Sequence, residues 1–259
     1  MDTKPTGAPA LRNPTLDDLK ASFAAGWRDF LSQPLYGLFY ASFYVGVGLA
    51  MAWVTRQTGH TFWLILAALG FPLVGAFAAL GLYEISRRRM TGEPMSLKHV
   101  QSRVWSHKNG QLPWLAVIIV VIFLFWFFLG HMIFALFLGL KPMTNISSSL
   151  DVFLTANGLV MLAFGTAVGA VFATLVYSMC VMGLPMILDR DVDFVSAMLG
   201  SIKAVRAAPG LYLIWGAVIG VITLLAMIPA FLGLFIAMPL FGHATWHLYK
   251  RVAEPTAPE

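Results

Sequence analysis

The sequence contains few charged residues and only one cysteine. Of its 259 residues, 11% are charged and 59% are hydrophobic, whereas a soluble globular domain has roughly 25% charged and about 45–50% apolar residues. This composition excludes an ordinary soluble domain and indicates that lipid surrounds most of the chain. The single cysteine, Cys180, excludes an internal disulfide and any metal cluster held by several cysteines.

Sequence signatures of enzymes are also missing. The chain has no HExxH motif, phosphate-binding glycine loop, nucleophile elbow or paired-carboxylate motif, so we favour a noncatalytic protein. The pI near 9.5 does not indicate a nucleic-acid partner, because the basic residues lie at the edges of apolar segments. At such positions Lys and Arg are typical contacts of anionic lipid headgroups.

The apolar segments predict six membrane crossings, each needing about 20 residues. Residues 152–188 are too many for one perpendicular crossing, so we place the crossing at 159–182 and expect a break near 183–185. Residues 211–248 have no polar loop, which predicts two helices joined by a tight turn near 227–233. The other three expected crossings are residues 35–54, 62–85 and 114–138. The expected fold is an all-α, polytopic membrane protein.

These crossings are expected to form three repeated units, approximately residues 15–89, 94–188 and 193–251. Each unit has an amphipathic helix at the membrane surface, a proline, and a hairpin of two transmembrane helices. The expected N-caps of the amphipathic helices are Thr15, Ser96 and Asp193. The prolines that open each first span are Pro34, Pro113 and Pro209. Those within or at the end of each second span are Pro72, Pro185 and Pro239.

The basic residues predict the orientation of the chain. Of the 17 Lys and Arg residues, 15 lie on the side that carries both termini, and only Arg56 and Lys141 lie on the other. Because cytoplasmic loops are rich in Lys and Arg, both termini are predicted to be cytoplasmic. Residues 1–14 are expected to form a disordered tail, and residues 252–259 a short C-terminal tail.

Polar groups at membrane depth are the candidate functional residues, because they are costly there and often functional. His243 and His247 are four residues apart, so a helix places both imidazoles on one face, as a two-histidine metal site requires. Glu84 is a candidate third ligand at a similar depth. A transition metal or haem at these side chains is one hypothesis, and hydrogen bonding without a cofactor is the alternative that we favour. His131 and Asn157 are the other intramembrane polar candidates.

The end of the chain suggests a family. Residues 239–249 read PLFGHATWHLY and residues 189–193 read DRDVD. Together with the proline-opened spans, these segments resemble the bacterial integral membrane family catalogued as domain of unknown function 2189. The resemblance covers nearly the whole chain after the first dozen residues. Its most specific part is the HATWHLY ending. Members of that family are sometimes labelled as cytochrome c oxidase subunits. The resemblance implies a location in the bacterial cytoplasmic (inner) membrane. A catalytic oxidase subunit would need more spans and more histidine ligands, so any link to an oxidase would be accessory.

Three functional hypotheses remain. The first is a noncatalytic accessory or assembly component of a larger membrane complex, with a respiratory complex as one candidate. The second is a transporter or channel, which the repeat and the spans interrupted by proline and glycine favour, whereas the scarcity of polar residues in the spans does not. The third is a redox or metal role at His243, His247 and Glu84. The partners expected from the sequence are the lipid bilayer, anionic headgroups at the cytoplasmic face, and other membrane subunits.

Overall fold

We describe the protein from a computed structural model, over residues 5–58, 78–106, 110–139 and 151–253. Within these residues the chain is helical and forms no strand, as the all-α prediction requires. The helices, in chain order, are α1 (Leu16–Ser32), α2 (Pro34–Thr58), α3 (78–91), α4 (Leu97–Ser106), α5 (Leu112–Leu138), α6 (Asp151–Leu154), α7 (Ala156–Cys180), α8 (Gly183–Asp189), α9 (Phe194–Ala207), α10 (Pro209–Met227) and α11 (Leu234–Val252).

Local sequence explains where several helices begin. The Thr15 hydroxyl accepts the backbone N–H of Asp18 at 3.1 Å, and the Asp18 carboxylate accepts the backbone N–H of Thr15 at 2.8 Å. This reciprocal capping box starts α1. Asp193 caps α9 by accepting the N–H of the residue three positions on. Pro34 and Pro209 are the first residues of α2 and α10, where a missing N–H costs no helical hydrogen bond. The N-caps predicted at Thr15 and Asp193 are confirmed.

Among the described residues, four helices are long and apolar enough to cross a membrane. They correspond to the first, third, fourth and fifth predicted crossings. The second prediction, residues 62–85, falls largely outside the described residues. α11 forms as a helix, but it carries two histidines and two basic residues and does not qualify as an apolar span. The four candidate spans are Pro34–Val54, Leu112–Leu138, Ala156–Asp189 and Pro209–Met227.

The long apolar segment in the middle of the chain is broken close to the predicted position. α7 ends at Cys180, and the chain resumes as α8 at Gly183. The backbone N–H of Met182, in the break, donates to the Ser201 hydroxyl of α9 at 3.0 Å. A backbone group freed by the break thus finds a side-chain partner, as a buried polar group requires. The first six residues of α8 are buried, so this short helix is part of the core.

The tight turn predicted between the last two helices is also present, over residues 228–233. Ala230 and Phe231 both adopt left-handed backbone conformations, with φ of 50° and 64°. A Cβ atom on Gly48 of α2 would lie 2.8 Å from the Phe231 ring. Glycine at this position therefore lets the turn pack against α2, and this contact helps to offset the backbone strain.

α11 lies at the centre of the described helices. Its side chains Trp246, Leu248 and Tyr249 are fully buried, and it contacts α1, α2, α8 and α10. A Cβ on Gly242 would lie 2.6 Å from the Leu82 side chain of α3. Because residues two positions apart face nearly opposite sides of a helix, Ala244 points the other way, towards α1. α11 therefore lies between α3 and α1.

α1 approaches α11 more closely than side chains of ordinary size would allow. A Cβ on Gly26 would lie 2.6 Å from the backbone nitrogen of Ala244. The buried face of α1 combines polar residues with small and large apolar ones; its members are Asp18, Leu19, Ser22, Ala25, Gly26, Asp29 and Phe30. Four other large apolar side chains of α1 are 37–58% exposed; they are Leu16, Phe23, Trp27 and Leu31. This arrangement is consistent with a helix whose outer face meets lipid and whose inner face meets protein.

Part of the predicted N-terminal tail is held against the other end of the chain. The N–H of Gly7 donates to the carbonyl of Asp191 at 2.9 Å, and the N–H of Asp191 donates to the carbonyl of Pro5 at 3.0 Å. The N–H of Arg12 donates to the carbonyl of Val252 at 3.0 Å. Pro5, Gly7 and Arg12 thus make backbone hydrogen bonds that a disordered tail would not make. Residues 1–4 lie outside the described residues.

The close approach of α1 and α11 predicts that Gly26→Ala destabilises the protein. In an open helical position, Ala is more stable than Gly by roughly 0.5–1 kcal/mol. At Gly26 the added methyl meets backbone rather than a side chain that can move, so we expect a net loss of about 1–3 kcal/mol. Thermal unfolding of the purified protein in detergent measures this change. Gly46→Ala in α2 is the control, since nothing lies within 4 Å of a Cβ there, and equal melting temperatures for the two variants would contradict the packing described.

Candidate functional site

A group of polar side chains, buried or mostly buried except for that of Arg89, lies where α1, α3 and α11 meet. We call it the polar cluster. α1 contributes one carboxylate, α3 a hydroxyl and a guanidinium, and α11 two imidazoles, all at the end of α3 and α11 that carries their basic residues. The five members are Asp29, Ser86, Arg89, His243 and His247.

The histidines of α11 bind two different helices. The Nδ1 atom of His243 lies 2.8 Å from the Ser86 hydroxyl of α3, and both residues are fully buried. The Nε2 atom of His247 lies 2.8 Å from the carboxylate of Asp29 in α1. The four-residue spacing therefore places both imidazoles in one cluster, as predicted, but each imidazole contacts a different helix.

Asp29 connects the cluster to the basic end of α3. The side chain of Arg89 lies 3.2 Å from the Asp29 carboxylate and donates to the backbone carbonyl of Arg28 at 3.1 Å. Burial by itself raises the pKa of Asp29, but hydrogen bonds from His247 and Ser86 outweigh burial and hold that pKa below its usual value. Asp29 is therefore held as a carboxylate that accepts from both neighbouring helices.

Glu84 belongs to a separate network at the end of α3. Its fully buried carboxylate accepts from Arg87 at 2.7 and 2.9 Å and from Arg88 at 2.7 Å. Arg87 also donates to both carboxylate oxygens of Glu93, and these hydrogen bonds hold the pKa of Glu93 below its usual value. The network closes the turn after α3, since Glu93 lies beyond the helix end.

All three side chains of the metal hypothesis already have protein partners. Both oxygens of Glu84 accept from guanidinium groups, His243 contacts Ser86, and His247 contacts Asp29. Nowhere in residues 5–58, 78–106, 110–139 or 151–253 do three or more His, Cys, Asp or Glu side chains form a group that could hold a metal ion. A metal at His243, His247 and Glu84 stays a prediction, and it would require the two histidines and the glutamate to exchange these partners for the ion.

The other two candidate residues lie on the outer surface. His131 is exposed on α5, where its Nδ1 atom lies 2.9 Å from the carbonyl of Phe127 in the same helix. Asn157 is exposed in the first turn of α7. Neither side chain lies in the described core, and the structure does not bring either of them to the polar cluster.

Sequence reasoning missed three members of the polar cluster. Asp29 could have been found from the sequence, because this carboxylate interrupts the apolar side of an amphipathic helix next to Phe30. Ser86 and Arg89 carried none, since serine and arginine are ordinary residues at the border of a membrane span. Only the packing of α1, α3 and α11 shows that they lie beside the two histidines.

Removal of the Asp29 carboxylate should destabilise the protein. Asp29→Ala leaves the mostly buried His247 without its carboxylate partner and removes a contact to the exposed Arg89, and we expect a loss of about 1–3 kcal/mol. Asp17→Ala is the matched control, because Asp17 is an exposed carboxylate on the same helix. Chemical or thermal unfolding in detergent measures both changes, and a loss for Asp29→Ala no larger than for Asp17→Ala would show that the cluster does not hold α1 to α11.

The lowered pKa of Asp29 predicts how this contribution depends on pH. A carboxylate whose pKa is lower in the folded state stabilises the protein above its unfolded pKa of about 4, and the stabilisation is lost as pH falls through the folded pKa. The melting temperature of the wild type should therefore exceed that of Asp29→Asn at pH 7. The difference should shrink progressively below about pH 4. A difference that stays constant from pH 7 down to pH 3 would be the contrary result.

Comparison with known proteins identifies one family. The model of a family described as a predicted integral membrane protein (DUF2189) matches residues 64–189. This confirms the resemblance found in the sequence, although the matched region contains Ser86 and Arg89 of the polar cluster and not the HATWHLY ending. No curated protein and no solved structure matches the chain. Over residues 64–189, just under half of its length, the chain is similar to the DUF2189 family of predicted integral membrane proteins.

Proposed function

We propose that this protein is a noncatalytic accessory or assembly component of a larger complex in the bacterial cytoplasmic membrane, with a respiratory complex as the first candidate. The observation that carries the proposal is an exposed face of small residues on α7. In membranes, small residues let helices approach closely, and van der Waals packing at such faces drives association. Four exposed residues of this face, at steps of four, three and four positions, are Ala163, Ala167, Ala170 and Thr174.

The small face of α7 is separate from the face that packs inside the molecule. Gly169 points inward, where a Cβ would lie 3.3 Å from the Trp126 side chain of α5. Gly165, Gly169 and Ala173 form another row of small residues on α7, a pattern typical of helix association either inside a molecule or between molecules. Gly169 lies at the contact with α5, so this part of the row serves packing inside the molecule. The outer small face is therefore left for lipid or for another subunit, and its residue types favour a subunit.

We also propose the six-span topology with three repeated units and both termini in the cytoplasm. One structural detail supports a repeat of the first and third units. α1 is joined to α2 by Gln33, and α9 is joined to α10 by Ala208, and each of these residues precedes a proline. Their φ and ψ values are −135° and 53° for Gln33, and −136° and 60° for Ala208. The same junction thus follows both amphipathic helices, since a residue before proline avoids the helical region.

The two alternative functions receive less support. A transporter needs polar groups along a path through the membrane, but the two candidates, His131 and Asn157, are exposed on α5 and α7. A metal or haem role would use His243, His247 and Glu84, which make the contacts described above. An absorption spectrum and metal analysis of the purified protein separate that role from the accessory one.

The small face of α7 gives a direct test of the accessory role. The full-length protein, solubilised from its native membrane in mild detergent, should migrate in native electrophoresis with a complex much larger than its own 28.4 kDa. Ala167→Leu should release it from that complex, because the larger side chain prevents close approach of a partner helix. Leu175→Phe, which enlarges an exposed side chain elsewhere on α7, should leave the complex intact.

Two results would contradict the proposed function. Wild-type protein that runs without partners in every mild detergent would remove the basis for an accessory role. Equal retention of the Ala167→Leu and Leu175→Phe variants in the complex would show that the small face of α7 is not the contact. The melting temperature of each variant, measured in parallel, shows that both are folded.

A further inference from the structure

A groove of about 780 Å³ lies between the beginning of α2 and the amphipathic helix α4. Its volume falls in the range of roughly 300–1,000 Å³ that is typical of small-molecule sites. The α2 wall is aromatic, with Phe39 and Phe43 in edge-to-face contact. On the α4 side, Trp105 is 63% exposed at one end of the helix and Lys98 is exposed at the other. The groove is therefore apolar along most of its length and basic at one edge.

Tyr40 is an independent sign that a hydrogen-bond acceptor would be stabilised at this groove. The residue lines the groove and is only 5% exposed. Its hydroxyl is buried and makes no hydrogen bond in the described part of the chain. A buried hydroxyl without a partner costs about 1–3 kcal/mol, so the site favours a ligand that brings a hydrogen-bond acceptor next to the apolar wall.

The ammonium group of Lys98, at the edge of the groove, is available to bind an anion. Lys98 makes no ion pair among the described residues, whereas Arg87 and Arg88 at the end of neighbouring α3 are both committed to Glu84 and Glu93. α4 has no acidic side chain. An anionic group that approached the groove would therefore meet one uncompensated ammonium and no nearby carboxylate on α4.

The position of the groove matches the border between hydrocarbon and headgroups. α2 is a candidate membrane span from Pro34 onward, so Phe39 and Phe43 lie in its first three turns. α4 packs inward through Val100 and Val104 and exposes Trp105, a residue type that is enriched at membrane interfaces. A ligand that fits the groove has an apolar chain for the aromatic wall, acceptor oxygens for the Tyr40 hydroxyl, and a negatively charged headgroup for Lys98.

We propose that this groove binds one anionic phospholipid. An acyl chain lies between the aromatic wall of α2 and Trp105, the Tyr40 hydroxyl donates to an ester oxygen, and the phosphate group lies beside Lys98. The site does not depend on the accessory role proposed above, because it uses α2 and α4 rather than the small face of α7. Bound lipid would hold α4 against α2 and so fix an amphipathic helix to the membrane-spanning part of the protein.

Native mass spectrometry of the full-length protein tests this site. Delipidated protein in detergent is mixed with equal amounts of phosphatidylglycerol and phosphatidylcholine that have identical acyl chains. We expect the wild type to retain one phosphatidylglycerol about fivefold in preference to phosphatidylcholine, the preference that one lysine–headgroup attraction provides. Lys98→Gln should bring the two lipids to parity. Lys203→Gln, at an exposed lysine of α9, is the matched control and should keep the preference.

A second variant tests the apolar part of the groove. Ser102 lines the groove from α4, so Ser102→Trp should fill it and lower the retention of both lipids. A phosphatidylglycerol with a brominated acyl chain adds a readout that does not rely on this variant. The bromine should quench the fluorescence of Trp105, measured as the difference between the wild type and Trp105→Phe.

Each contrary outcome overturns the proposal. Equal retention of the two lipids by the wild type would exclude an anionic headgroup site. The same loss of preference in Lys98→Gln and Lys203→Gln would show attraction to the whole basic surface rather than to the groove. Full lipid retention by a folded Ser102→Trp variant, or the absence of quenching at Trp105, would place the bound lipid elsewhere.

Discussion

The close contact between α1 and α11 is the feature on which the rest of the described structure depends. Gly26 lets the backbones of the two helices meet beside Ala244, and one turn further along α1 the Asp29 carboxylate reaches His247. Each part supports the other, because a hydrogen bond to a buried carboxylate forms only where the helices already lie close. α11 in turn contacts α3 through Gly242 and Ser86, so the two ends of the sequence and the α3 segment share one junction.

The surface chemistry of these helices follows from their solvent. In water, an amphipathic helix buries its apolar face. α1 buries the polar Ser22 and Asp29 as well as apolar side chains, and it exposes Phe23 and Trp27, which is favourable where the outer solvent is lipid. Polar side chains then provide the specific contacts between helices, because apolar contacts alone gain little when lipid is equally apolar. The polar cluster and the Glu84 network are where this principle is most visible.

Residue patterns predicted the helices well and their contacts poorly. The cap at Thr15, the helix start at Pro34 and the turn near residue 230 follow from local backbone chemistry, so the sequence around each position is sufficient to predict them. The bounds of the apolar spans follow from membrane thickness.

The partners of His243 and His247 depend on α1 and α3, which lie far away in the chain. Helical periodicity showed that the two imidazoles share a face, but not that Ser86 and Asp29 lie opposite them. Nor could the sequence predict that Arg87 and Arg88 donate hydrogen bonds to the Glu84 carboxylate. A carboxylate beside arginines at the border of a span has the same sequence pattern whether it is paired with them or available as a metal ligand.

The bond between Asp29 and His247 joins residues 218 positions apart, and this separation has a consequence for biosynthesis. α1 leaves the ribosome long before α11, the helix that it packs against. Until α11 is made, the surface around Gly26 lacks the helix that it packs against, although Arg89 of α3 can already reach the Asp29 carboxylate. The outer aromatic side chains can meanwhile hold α1 at the bilayer surface. Docking of α1 is therefore expected to be a late step of folding, one that occurs only after the final hairpin has been synthesised, and a chain truncated before α11 would display an unpaired N-terminal helix to quality-control proteases.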